Sequence, residues 1–286
     1  MQTDLTFYNH SSTIIVMSTS YLSQNWVSFQ TIVSKEINRF LRIWTQTLLP
    51  SAITQSLYFL IFGGIIGSQI RNVPIIDSSG IIIQVPYMQF VVPGLVMMAV
   101  LTNAFANTVS SFFGSKFQKS IEELLVSPTP NWIIVAGFTI GGALRGILVG
   151  LIVFLTAFLF QAVPQVHNYG IILLFVTMTA IVFSLAGLTN AVYAKKFDDT
   201  AIVPTFVLTP LTYLGGVFYS IKSLPDFWQI VSKFNPIVYM VDGFRYGFFG
   251  VSEVNVWYSF SLLVVLMTSL ATINLYLLNK GVGMRS

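Results

Sequence analysis

The sequence predicts an all-α polytopic membrane protein. It has six transmembrane helices, an N-terminal interfacial amphipathic helix, and a re-entrant helical hairpin between spans five and six. Three observations carry this prediction. Of 286 residues, 55% are hydrophobic and only 8% charged, where soluble domains carry about 25% charged residues. Several apolar runs reach the ~20 residues that cross a ~30 Å hydrocarbon layer, as solid blocks rather than the ~10-residue alternating segments of a β-barrel. The stretch from Pro204 to Arg245 is too apolar for a surface loop. It is also too broken for one straight helix, by Gly215-Gly216, Pro225 and Pro236.

Composition removes several function classes. There are no cysteines, which excludes disulfide staples and thiolate metal sites. His10 and His167 are far apart and read as ordinary loop residues. A net charge of +4 fits lysine and arginine held on the cytoplasmic side of a membrane better than a nucleic-acid surface, so no nucleic acid is expected as a partner.

Taken in order, residues 1–29 form a polar, Ser/Thr-rich extension, read as disordered, without the charged and apolar regions of a cleavable leader. Met17 is a candidate start, because the organised sequence begins after it. Residues 30–49 read as an amphipathic helix. Val33, Ile37, Phe40, Leu41, Trp44 and Leu48 share one side; Lys35, Arg39, Arg42 and Gln46 share the other. Such a basic helix is expected to lie in the membrane interface. Residues 50–286 hold the six expected spans, near Ser51–Ile70, Gln89–Phe113, Trp132–Phe160, Tyr169–Tyr193, Thr200–Tyr219 and Val256–Leu278.

Charge bias sets the expected orientation. With a cytoplasmic N-terminus, that side holds Lys35, Arg39, Arg42, Lys116, Lys119, Lys195, Lys196, Lys280 and Arg285; the other holds Arg71, Lys222, Lys233 and Arg245. Both termini are therefore expected inside.

Polar residues inside the spans are few. Arg145 falls midway along the third span. It either faces inward at an interface or conduit, or reaches the interface because the long helix protrudes. Asn103 and Asn107, one turn apart, are expected to hydrogen-bond each other or a neighbouring helix. Gly142, Gly146 and Gly150 repeat every four residues, as do Gly137 and Gly141, and Gly63 and Gly67, predicting close helix packing. In the first inner loop Ile121, Leu124 and Leu125 share a helical side with Glu122 and Glu123 among the polar positions, before Pro128 ends the helix. Such a short helix suits a groove on a partner. Asp198 and Asp199 beside Lys195 and Lys196 read as a solvated loop cluster.

No phosphate loop, nucleophile elbow or zinc-protease motif is present in the sequence. If transport is driven by energy, that energy is expected to enter through another polypeptide.

With these residues in view, the chain resembles a membrane permease subunit of a bacterial ABC-2 type exporter over about residues 25–286. The matching pieces are Lys35-Glu36 to Arg39-Phe40, Phe90 to Pro93-Gly94, Ile121-Glu122-Glu123 to Pro128, and Pro210 through Gly215-Gly216-Val217-Phe218-Tyr219. Leu224-Pro225, Asn235-Pro236 and Asp242 to Arg245 complete them. The resemblance implies a bacterial inner-membrane subunit that pairs with a second copy and docks two cytoplasmic ATP-binding subunits. ATP and magnesium would sit on those partners, with no cofactor and no catalysis in this chain. It further implies a coupling helix at Ile121–Ser127 and re-entrant helices near 223–232 and 236–246, acting as an outer gate. Membrane lipid and an unidentified transported substrate complete the expected partners. The alternatives are an ion-coupled secondary transporter, for which the spans lack mid-membrane acidic groups, and a non-transporting assembly subunit.

Overall fold

The computed structural model describes residues 10–76, 80 and 82–283, with the backbone path alone for residues 10–22, 63, 64, 68 and 76. Residues 1–9 of the N-terminal extension, and Arg285 of the charge bias, lie outside the described residues. The first helix, α1 (His10–Arg42), runs unbroken through residue 30, so the boundary expected there falls inside a helix. A short turn of helix, α2 (Trp44–Thr47), leads to α3 (Leu49–Tyr58), which continues through a π-helical segment (Phe59–Ile66) into α4 (Gly67–Gln69). The wide turn falls on Gly63-Gly64, where the ladder is easiest to open.

Next comes a hairpin that an all-α fold does not contain. Strands β1 (Asn72–Ile76) and β2 (Ile82–Pro86) pair antiparallel, with Asn72 opposite Pro86 and Ile76 opposite Ile82. The all-α expectation is corrected here. Val73, Ile75 and Val85 supply β-branched side chains with period-two burial, which favours strand over helix. A hydropathy scan for spans does not register so short a pattern.

Among the described residues four helices are long and apolar enough to cross a membrane: α5 (Tyr87–Phe117), α7 (Asn131–Leu159), α8 (Tyr169–Tyr193) and α13 (Val256–Lys280). The first and fifth expected spans are helical but interrupted. The fifth comprises α9 (Phe197–Val203), a π-helical segment (Pro204–Leu208) and α10 (Thr209–Tyr213). Pro204 and Pro210 each remove a ladder donor, and the widened turn lies between them. Three short helices remain: α6 (Ser120–Val126), α11 (Asp226–Lys233) and α12 (Pro236–Phe249).

Helix α5 is the axis of the bundle, packed against α7, α8 and α12. Its most apolar window is 78% buried, against 22% for the peripheral α13. Glycines allow this closeness. A Cβ on Gly146 would stand 2.7 Å from the Val100 carbonyl oxygen and 2.8 Å from the Ala104 Cβ, and one on Gly187 would stand 2.6 Å from the Phe105 carbonyl oxygen. The ends of α5, α8 and α13 and the start of α7 share one end of the bundle. There Lys116 Nζ donates to the carbonyls of Val192 and Ala194 at 3.0 and 2.7 Å, and Asn131 Nδ2 donates to Asn279 Oδ1 at 2.7 Å. Helices α11 and α12 occupy the opposite end.

Gly146→Ala should destabilise the protein by about 1–3 kcal/mol, because backbone and not a flexible side chain must yield. Gly114→Ala has nothing within 4 Å and should stabilise by up to about 1 kcal/mol through helix propensity. Thermal unfolding of the two variants in detergent checks this; equal shifts would contradict the close α5–α7 contact.

Candidate functional site

Three groups of sequence-selected residues come together, at three levels of the bundle. The first is α6. Lys119 takes a left-handed conformation with φ of 61°, which turns the chain sharply after α5. Ile121 is buried among Phe112, Phe113, Ile133 and Phe138 and pins the helix to the bundle. Leu124 and Leu125 are half-buried, while Glu122 and Glu123 face outward. Val126, within the expected Ile121–Ser127 helix, is 87% exposed at the tip. A cleft of about 240 Å³ separates α6 from α1, lined by Ile32, Lys35, Glu123, Leu124 and Phe138. At the same end the Asp199 carboxylate accepts from the backbone amides of Lys195 and Lys196 at 2.8 and 2.9 Å. Those bonds make Asp199 the start of α9 as well as a loop charge.

The second group is a polar seam between α1, α5 and α7. The expected apolar face of residues 30–49 is rotated. Leu41 and Trp44 are exposed, whereas Ile32, Phe40 and the acidic Glu36 are buried. The cause is visible in α7. Gly137 and Gly141 leave room for the side chains of Ile32 and Glu36, so this part of α1 runs along α7, with 32 beside 137 and 36 beside 141. Glu36 Oε1 accepts from the Ser111 hydroxyl at 2.6 Å, and Oε2 accepts from Arg39 NH2 at 3.3 Å. Arg39 is thus drawn inward instead of lying with Lys35 and Arg42 on a polar surface. Its NH2 also donates to Asn107 Oδ1 at 2.8 Å and to the Asn107 carbonyl at 3.1 Å.

Arg145 approaches the same asparagine from α7. It donates to Asn107 Oδ1 at 3.4 Å, Asn103 Oδ1 at 3.3 Å and the Thr47 carbonyl at 3.2 Å. Asn103 and Asn107 therefore serve arginines rather than each other. Asn103 Nδ2 returns to its own helix at the Ala99 carbonyl, 2.9 Å away. Ser51 at the head of α3 donates to Asn103 Oδ1 at 3.1 Å. The break between α1 and α3 is thereby fixed by the seam. Ser110, Ser111 and the burial of Glu36 were missed in the sequence. The available signal was Glu36 and Arg39 at i, i+3.

The third group lies at the opposite end. Asn235 caps α12, with Oδ1 accepting from the Ile237 amide at 3.0 Å, while Nδ2 donates to the Leu211 carbonyl at 2.6 Å; Pro236 is the first helical residue. Asp242 accepts from the amides of Glu253 and Val254 at 3.1 and 3.0 Å. Arg245 donates to the Gly216 carbonyl at 2.9 Å, and its guanidinium stands 3.9 Å from the Phe90 ring centre. Gly216 takes φ of +71°, which a side chain would resist, and a Cβ on Gly215 would meet Ile237 Cγ2 at 2.7 Å. Phe218 stacks on Phe62 with ring centres 4.2 Å apart. Pro225 stands immediately before α11 and starts it. These contacts clamp the 214–224 turn and the 250–255 loop onto the end of α5. Glu253, which accepts from the Ile221 amide at 2.9 Å, is a member that the sequence did not suggest.

One face of α5 stays uncovered among the described residues. Met98, Thr102 and Gly114 are half-buried, and Ala106 and Ser110 exposed, at a four-residue spacing along a helix otherwise enclosed. At the clamp end the hydroxyls of Tyr58 and Tyr213 lie 3.2 Å apart, joining the first and fifth expected spans.

The arrangement is that of a helical membrane protein, with apolar helices of spanning length and a short helix projecting at one end. Residues 27–249 match the family model of the ABC-2 type transporter, and the chain belongs to that family. It is 54% identical, over 262 residues, to the inner membrane transport permease YadH of Escherichia coli strain K12, covering 91% of this chain and 98% of that protein. It is 24% identical over 177 residues to nodulation protein J of Rhizobium leguminosarum bv. viciae, covering 60% and 66%. It is also 25% identical over 216 residues to the putative transport permease ycf38 of Porphyra purpurea, covering 72% and 70%. The chain is an ABC-2 type transport permease.

Glu36→Ala should cost about 1–3 kcal/mol, since it strips acceptors from Ser111 and from Arg39, while the exposed Lys35→Ala stays within about 0.5 kcal/mol. In a double-mutant cycle with Ser111→Ala, unfolding measurements should return a coupling of at least about 0.5 kcal/mol. Additive effects would mean that the 2.6 Å bond contributes nothing.

Proposed function

We propose that this chain is the membrane subunit of an ATP-driven exporter in the bacterial inner membrane, forming the substrate path and coupled to a separate ATP-binding subunit. The observation that carries this reading is α6. It is anchored by one buried side chain, Ile121, while Glu122, Glu123 and Val126 project free of the bundle. A helix held so rigidly at its base and so bare at its tip suits a groove on a partner. Movement imposed there passes directly to α5 and α7, the two helices that flank it, and biases the bundle between two arrangements.

In this reading six spans cross the membrane, with the interrupted Leu49–Gln69 and Phe197–Tyr213 runs as the first and fifth. Both termini and α6 face the cytoplasm, and α1 serves as the interfacial helix up to the point where it enters the bundle. Helices α11 and α12 form the re-entrant pair at the outer end, acting as a gate. Two copies of the permease pair, and two ATP-binding subunits carry ATP and magnesium. No step of hydrolysis is assigned to this chain. Export is the direction proposed, following the resemblance to ABC-2 type exporters.

Co-expression of the chain with a candidate ATP-binding subunit, followed by reconstitution, tests the assignment. Vanadate-sensitive hydrolysis should require the partner and be absent from the chain alone. Val126→Asp should leave thermal stability within about 0.5 kcal/mol, as for other exposed positions, yet remove the permease's effect on hydrolysis. Robust hydrolysis by the chain alone would overturn the subunit assignment.

A further inference from the structure

The polar seam carries more positive charge than it neutralises. Arg39 and Arg145 bring two guanidinium groups to one place, and the Glu36 carboxylate, which also accepts from Ser111, bonds Arg39 but not Arg145 among the described residues. Every acceptor that Arg145 meets is neutral: Asn103 Oδ1, Asn107 Oδ1 and the Thr47 carbonyl. Both arginines draw on the same Asn107 oxygen. The Nε atoms of both are buried without an acceptor. A surplus cation near the middle of the 29-residue α7 is costly in an apolar layer unless an anion or water offsets it. Structural hydrogen bonding alone does not call for a second arginine.

The site is open on one side. Arg39 keeps 29% of its side chain accessible, and its NH1 reaches the exposed Ser110 hydroxyl at 3.4 Å. Ser110 belongs to the uncovered stripe of α5, next to Ala106. A guanidinium fork matches the two oxygens of a phosphate or carboxylate, and the neighbouring stripe of Met98, Thr102 and Ala106 is small enough in its side chains to leave a groove for the tail that such a head would carry.

We propose that Arg39 and Arg145 form a binding site for the oxyanion head of an amphiphile, phosphate or carboxylate, reached along the uncovered face of α5. The site rests on the proposed path only for its access route; the charge surplus is independent of it. Two sources share this chemistry: a membrane phospholipid lodged in the groove, and the transported amphiphile itself.

The test uses the purified full chain without partner or ATP, so that a failure of coupling cannot mask binding. Native mass spectrometry of protein released from vesicles of equal phosphatidylglycerol and phosphatidylcholine should find phosphatidylglycerol retained in preference. Dodecyl phosphate should displace it and dodecyl maltoside should not. Arg145→Gln and Arg39→Gln should each weaken retention at least about tenfold, the loss of one charge-assisted contact. Arg145→Lys should keep part of it, and the remote Lys280→Gln should change nothing. Ser110→Asp, an exposed change tolerant of folding, should abolish retention by placing a carboxylate at the mouth. Equal retention of the two lipids by the native chain, or unchanged retention in Ser110→Asp and the glutamine variants, would overturn the proposal. With the partner added, ATP-dependent movement of dodecyl phosphate across the vesicle marks the transported source; retention of phosphatidylglycerol through turnover marks the resident lipid.

Discussion

An arginine set halfway along an apolar helix must find its acceptors within the protein, and Arg145 finds them on α5 and on the break between α1 and α3. Much of the molecule follows from that constraint. The bend at residues 43–48 places the Thr47 carbonyl where the guanidinium needs it. Asn103 and Asn107 stand one turn apart because two arginines, arriving from different helices, share them. Glu36 is buried because Gly137 and Gly141 leave α7 bare where α1 lies against it. Remove any one of these and a buried charge or donor loses its partner, which costs more than the intact bond contributes.

The same logic governs the opposite end in another form. There the groups to be satisfied are backbone amides and carbonyls exposed by Gly215-Gly216 and by the loop before α13. Buried backbone amides and carbonyls outside regular structure must find partners elsewhere. Asp242, Arg245, Asn235 and Glu253 supply those partners, each bonding main chain. The two ends thus differ in kind. One couples helices through charge; the other fastens loops through side chain to backbone bonds.

What the sequence disclosed divides along the same line. Apolar length located α5, α7, α8 and α13 to within a few residues, because crossing a bilayer imposes a length that composition records. The breaks at Pro225 and Pro236 located α11 and α12 for an equally local reason. The β1–β2 hairpin escaped, since five-residue strands leave no mark on a span-length window. The face of α1 escaped for a deeper reason. Periodicity groups Leu41 and Trp44 with Phe40, and only the glycine notch on a helix a hundred residues away selects Ile32, Glu36 and Phe40 instead. The acceptors of Arg145 were likewise unreadable one by one, because they are set by the distance between helices and by nothing in the local sequence.

Seating of α1 against α7 is the claim on which the seam stands, and a cysteine-free chain allows it to be tested directly. A Cβ at position 137 would lie 2.9 Å from the Ile32 Cβ, close enough for a disulfide after a small adjustment. The double variant Ile32→Cys, Gly137→Cys, treated with a mild oxidant in native membranes, should form an intramolecular bond. The pair Leu41→Cys, Gly137→Cys should remain reduced, with position 41 open to a membrane-permeant maleimide. Efficient cross-linking at 32 with protection from maleimide is the predicted result. Free labelling at 32 and no bond to 137 would contradict the buried seam.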